Sequence, residues 1–208
     1  MQSPPRTDPP YVPIRRTAWP VRRTPRWWFA AGAAIVVAGV LVGIAVHPSR
    51  SQRAADLNGF LADMKTDIQS CAGGVRDSLT AMRAIEAGTS HDVSTAIGIA
   101  TFGSQNCSPA NNVQLDDLVG YQVHESLYSF RLDRVVYGLV AWATPDALHV
   151  QADVAAVLRA PGAARAAATA KLNADLRTLD NQRKYLDRIM WAAIRATGAS
   201  GRPPPLPG

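Results

Sequence analysis

The residues that come nearest to a known chemistry are His124, Glu125 and Tyr128, in the run HESLY. A zinc hydrolase of the HExxH type sets two histidines four residues apart on one helix face, with the glutamate as general base. Tyr128 stands where the second histidine must be, so the run lacks a ligand and no zinc chemistry is expected from it. His47, His91 and His149 lie far apart, with no second ligand at helical spacing. Glu86 and Glu125 are the only glutamates, which removes the carboxylate-rich di-iron bundle. Asp63 and Asp67 share a helix face, but they flank the apolar seam, where a solvated face explains them better than a paired acid and base. There is no Gly-rich phosphate loop, nucleophile elbow or CxxC pair. The expectation is therefore no enzyme, no cofactor and no metal. The alternative is an extracytoplasmic enzyme of a helical class whose site is not visible in local motifs.

The elements that would position such residues begin with the apolar run 27–46, WWFAAGAAIVVAGVLVGIAV, which contains no charged side chain. As a helix it would reach about 30 Å, the hydrocarbon thickness of a bilayer. It reads as a transmembrane anchor, with Trp27 and Trp28 at the headgroup level. Before it, residues 1–26 hold six arginines against Asp8 and seven prolines, a tail with too little aliphatic periodicity to pack. Arg15, Arg16, Arg22, Arg23 and Arg26 crowd the N-terminal flank, so the positive-inside rule keeps the N-terminus cytosolic and exports the C-terminal part. Gly43-Ile44-Ala45 could serve a signal peptidase, yet the apolar run is longer than the about 7 to 15 residues of a signal h-region, so retention is expected. Gly39 and Gly43 form a GxxxG pattern, which leaves open a homodimer through this helix.

Beyond residue 46 the charge nearly balances, sixteen Lys plus Arg against fifteen acids. No basic run interleaved with aromatics offers a phosphate-binding face, which sets nucleic acid aside as a partner. The partners expected are the lipid bilayer and a membrane or envelope protein. Arginine outnumbers lysine nineteen to three, the usage that a GC-rich bacterial coding sequence would give.

The exported part, residues 47–197, reads as all-α, an elongated antiparallel bundle of four or five helices. Leu57, Leu61, Met64, Ile68, Cys71, Val75, Ser78, Met82 and Ile85 are spaced four and three alternately, the seam of one long helix. Gly73-Gly74 inside it would favour a bend, and Gly88 stops it. Thr89 or Ser90, with Asp92 in the following turn, starts a second helix that fades by Asn106. Asn112 caps a third, expected to run through Val119, Val123, Leu127, Phe130, Leu132, Val135, Leu139 and Trp142 at the centre of the bundle. Thr144-Pro145 restarts the chain, with Thr144 as cap, for a fourth helix along Ala147, Val150, Val154 and Val157. The fifth runs from about Ala163 to Thr197, with Leu172, Leu176, Leu179, Leu186 and Met190 on one side and Gly198 as its stop. The proline-rich end, residues 198–208, reads as a solvated, disordered tail.

The two helices around Gly88-Thr89 suggest an antiparallel hairpin, in which facing residues have numbers summing to about 178. That rule pairs Ile85 with Val93 and Leu79 with Ile99. It also pairs Cys71 with Cys107, the only two cysteines. Export places both thiols where disulfides persist, so a staple across the hairpin is expected. As for function, the reading is a single-pass membrane protein whose extracytoplasmic bundle acts by binding, as an adaptor, accessory subunit or ligand-sensing module.

Overall fold

A computed structural model describes residues 48–208, which belong to the unit His47–Gly208. The expected anchor 27–46 with Trp27, Trp28, Gly39 and Gly43, and the arginines from Arg15 to Arg26, lie outside the described residues. Among those described, no helix is long and apolar enough to cross a membrane.

The described chain is all-helical, with no strand. The heptad seam becomes α1, Arg50–Glu86, capped by Ser49, whose hydroxyl accepts from the Gln52 N–H at 3.1 Å. The seam positions from Leu57 to Met82 are buried and Ile85 half-buried. Gly88 ends the helix in the left-handed region, φ +69, where only glycine is unstrained. The second helix starts later than Thr89 or Ser90. Asp92 is itself the cap of α2, Val93–Gln105, because its carboxylate accepts from the Thr95 N–H and from both the Thr95 and Ser94 hydroxyls. Those hydrogen bonds, the Thr95 hydroxyl foremost, lower the Asp92 carboxyl to about 2.

The hairpin of α1 and α2 is antiparallel, and Cys71 and Cys107 are joined by a disulfide with Cα atoms 4.6 Å apart. Gly74 has a packing role. It serves contact: a Cβ there would come within 2.8 Å of the Gly103 Cα, so the two backbones cross where neither carries a side chain.

The expected third helix is a correction. Residues 113–141 fold as α3 Val113–Val119, a 3-10 segment Glu125–Phe130, and α4 Asp133–Ala141. Asn112 does cap α3, its side-chain oxygen accepting from the Gln114 and Leu115 N–H groups. Gly120 then closes α3, and Arg131 turns the chain at φ 55. The shift of the apolar stripe marks these breaks rather than a helix buried on several faces. Leu115, Leu118, Leu127, Leu132, Val135 and Leu139 face the core, whereas Val119, Tyr128 and Tyr137 are exposed. The segment covers the N-terminal half of α1, as α2 covers its C-terminal half: Tyr121 packs edge-on against Phe60 at 5.7 Å, and the Ser126 hydroxyl donates to Asp56 at 2.6 Å.

Trp142 is fully buried where α4 turns toward α5, Leu148–Arg159. Thr144 leaves helical geometry as expected before Pro145, but its hydroxyl donates to the Cys107 carbonyl and caps nothing. Ala147, Val150, Val154 and Val157 are all fully buried. Then α6, Gly162–Thr197, buries Leu172, Leu179, Leu186 and Met190, with Leu176 half-buried, and ends at Gly198 with φ +77. Six α-helices and the 3-10 turn thus stand among the described residues where four or five were expected.

The tail also departs from expectation. Ala199, Pro204 and Leu206 are buried, the Gly201 N–H donates to the Asn58 side-chain oxygen at 2.8 Å, and Arg76 reaches the Pro205 carbonyl. Composition marks a proline-rich end as extended, but an extended chain with an apolar side fits a helix groove as readily as it fits water.

Candidate functional site

The sequence candidates separate in space and in role. His124 caps the 3-10 segment, its Nδ1 accepting from the Ser126 N–H at 3.3 Å, and Tyr128 points outward. The HESLY run is therefore not a helix, and the i,i+4 face that zinc binding needs does not exist there. His124, Ser126 and Asp56 do meet, at 2.9 Å between His124 Nδ1 and the Ser126 hydroxyl and 2.6 Å from that hydroxyl to Asp56. The same imidazole nitrogen faces both partners, with Asp56 at 3.5 Å. A nucleophile triad needs the imidazole between hydroxyl and carboxylate, one nitrogen for each, so this cluster ties α1 to the 3-10 segment and activates no hydroxyl.

Asp63 and Asp67 gain a third neighbour, Asp117 of α3, which the sequence reading did not bring to them. Burial first, then Asp63 and Asp117, push the Asp67 carboxyl up to about 6, while Asp63 accepts from the Tyr121 hydroxyl at 2.9 Å. A second acidic group, also missed, joins α5 to α6: the Lys171 ammonium holds both oxygens of the buried Asp153, at 2.7 and 2.8 Å, and Asp175 at 2.9 Å. Burial raises the Asp153 carboxyl and the Lys171 hydrogen bond opposes it, while Asp175, nearer solvent, is lowered by the same ammonium. These are packing devices, since a buried carboxylate needs a paired cation. Among the described residues no group of three or more metal-ligating side chains comes together.

What remains is a surface on either side of Arg131 and Arg134. On one side a cleft of about 620 Å³ lies between the 3-10 segment, the loop before it and α4, with Tyr121, Tyr128 and Tyr137 on its walls. Tyr128 and Tyr137 are 67% and 72% exposed. On the other side a groove of about 610 Å³ runs along the last turns of α6. It is lined by Phe130, Ile189 and the alanines 192, 193 and 196, and Arg188 adds a third guanidinium to its lining. Among the described residues none of Arg131, Arg134 and Arg188 forms an ion pair, although Asp133 lines the cleft beside them.

No family model, curated protein or solved structure matches the chain. The site is thus defined by its geometry alone.

Sequence reading missed this surface for a physical reason. Tyr128, Arg131, Arg134 and Tyr137 look like the polar side of one helix, and only the break at Arg131 turns them into the shared wall between a cleft and a groove. The one available signal was the drift of the apolar stripe between Phe130 and Leu132, where two positions only two residues apart both claim the core side.

Proposed function

We propose that this chain is a single-pass membrane protein whose helical domain acts outside the cytosol by binding, and not by catalysis. The surface around Arg131 and Arg134 carries the proposal. The two widely exposed tyrosines of the cleft, Tyr128 and Tyr137, are side chains of the kind that anchor protein interfaces, large in contact area and able to donate into a partner's acceptors. The apolar run 27–46 supplies the anchor, and confinement at a membrane raises the effective concentration of such a surface toward its neighbours. The Cys71–Cys107 disulfide supports export, since such bonds persist in oxidising compartments. Gly39 and Gly43 add the option of a homodimer through the anchor.

The test is photo-crosslinking in intact cells from p-benzoylphenylalanine placed at Tyr137 and, as a control, at the exposed Arg177 of α6. A discrete adduct from position 137, absent from position 177, is the expected result. Equal adducts from both, or none from 137, would overturn the reading. The topology is tested separately: Thr7→Cys should resist an impermeant thiol reagent in intact cells, and labelling would place the N-terminus outside.

A further inference from the structure

The groove beside α6 has a composition that selects its occupant. Small side chains at Ala192, Ala193 and Ala196, with Phe130 and Ile189, make an apolar trough, while Arg131, Arg134 and Arg188 stand over it. Three like charges on one rim repel one another, and among the described residues no carboxylate lies within 4.0 Å to offset them. The planar guanidinium suits phosphate oxygens, which it holds by two parallel hydrogen bonds. An apolar floor under a phosphate-binding rim matches an amphiphile with an anionic head.

Position narrows the choice. The groove ends at Ala196, and the carbonyl of the next residue, Thr197, accepts from Arg50 Nε at 3.2 Å, in the first turn of α1. The groove therefore lies at the end of the bundle where the chain enters it. Only His47, Pro48 and Ser49 stand between the apolar run and α1, a stretch that spans about 10 Å when fully extended. That keeps this end of the domain within reach of the lipid headgroups.

We infer that the groove binds an anionic phospholipid of the bilayer, its phosphate on Arg131, Arg134 and Arg188 and its glycerol and first acyl carbons on the alanine floor. The inference rests on the reading of residues 27–46 as a membrane anchor.

The experiment uses the full chain in mild detergent, with bound lipid counted by native mass spectrometry during titration with phosphatidylglycerol or phosphatidylcholine, and with inorganic phosphate as competitor. Phosphatidylglycerol should be retained about tenfold better than phosphatidylcholine: both present the same phosphate to the guanidiniums, but the choline ammonium of the second is repelled by three like charges. The triple variant Arg131→Gln/Arg134→Gln/Arg188→Gln should lose that preference, whereas Arg83→Gln/Arg159→Gln/Arg177→Gln, which removes the same charge elsewhere, should keep it. Ala192→Trp, which fills the trough without changing charge, should lose it too. Equal retention of the two lipids, an unaffected triple variant, or full displacement by inorganic phosphate would each overturn the inference, the last in favour of a free anion. Carbonate extraction of membranes separates the two readings. A chain released by carbonate refutes the anchor, and a carbonate-resistant chain with no lipid preference refutes the groove alone.

Discussion

Gly74 of α1 and Gly103 of α2 meet backbone to backbone: a Cβ on Gly74 would lie 2.8 Å from the Gly103 Cα, and one on Gly103 would lie 3.0 Å from the Gly74 carbonyl oxygen. The fully buried Gln151 of α5 closes over both. The hairpin is thus drawn together one helical turn from its disulfide, and the two devices fix the same crossing. Gly73, next in sequence, faces open space, with nothing within 4 Å of an added Cβ. Gly74→Ala should therefore destabilise by about 1 to 3 kcal/mol through overpacking. Gly73→Ala should stabilise by about 0.5 to 1 kcal/mol, through the helix preference of alanine and a less mobile unfolded chain. Denaturant midpoints of the two variants should move in opposite directions, and a shift of the same sign in both would refute the close crossing.

The disulfide closes a loop with a sequence separation of 36. On the chain-entropy model the Cys71→Ala/Cys107→Ala variant loses about 3 to 4 kcal/mol. Thermal unfolding with and without reductant measures this. The non-reduced protein should show no alkylatable thiol by mass spectrometry.

Asp67 carries a pH dependence whose sign follows from its surroundings. Its folded-state carboxyl keeps a proton up to about 6, against 3.8 when unfolded. Between those values the folded state binds more protons, so this group favours the fold in acid and loses that contribution as pH rises through 6. Asp67→Asn should flatten the stability curve over this interval and leave the variant more stable than the parent at neutral pH. A curve that keeps the parent's slope would assign the dependence to other groups.

The C-terminal segment should behave as part of the domain. Leu206 is 8% exposed, and Leu206→Ala is expected to cost about 2 kcal/mol, the transfer value of a buried leucine. Asn58→Ala, which removes the acceptor for the Gly201 N–H, should cost about 1 kcal/mol. Chemical denaturation reads both. Limited proteolysis that trimmed residues 199–208 without lowering stability would contradict the docking.

The hairpin was legible in the sequence because its determinants are local or nearly so. A four-three apolar repeat defines α1, a glycine at positive φ stops it, and a turn of known position sets a register that pairs Cys71 with Cys107 by counting. The C-terminal ends of α5 and α6 were legible for the same reason, since Pro161-Gly162 and Gly198 act on their own neighbours. Only the tertiary structure decided what became of residues 113–141 and of the tail. Periodicity reports how many positions face a core, but it cannot tell a continuous helix from three short pieces that share that core, because both bury the same leucines. The break depends on Arg131 accepting φ 55, at a cost that tertiary contacts offset. The same holds for the candidate surface: Arg131, Arg134, Arg188, Tyr128 and Tyr137 are ordinary exposed residues in one dimension. They become one surface because the 3-10 segment docks on Asp56 at one side and α4 rests on α6 at the other, with the Gln182 side chain donating to the Gly138 carbonyl at 3.1 Å. Contacts between segments that far apart in the chain leave no periodic trace, and folding alone brings them together.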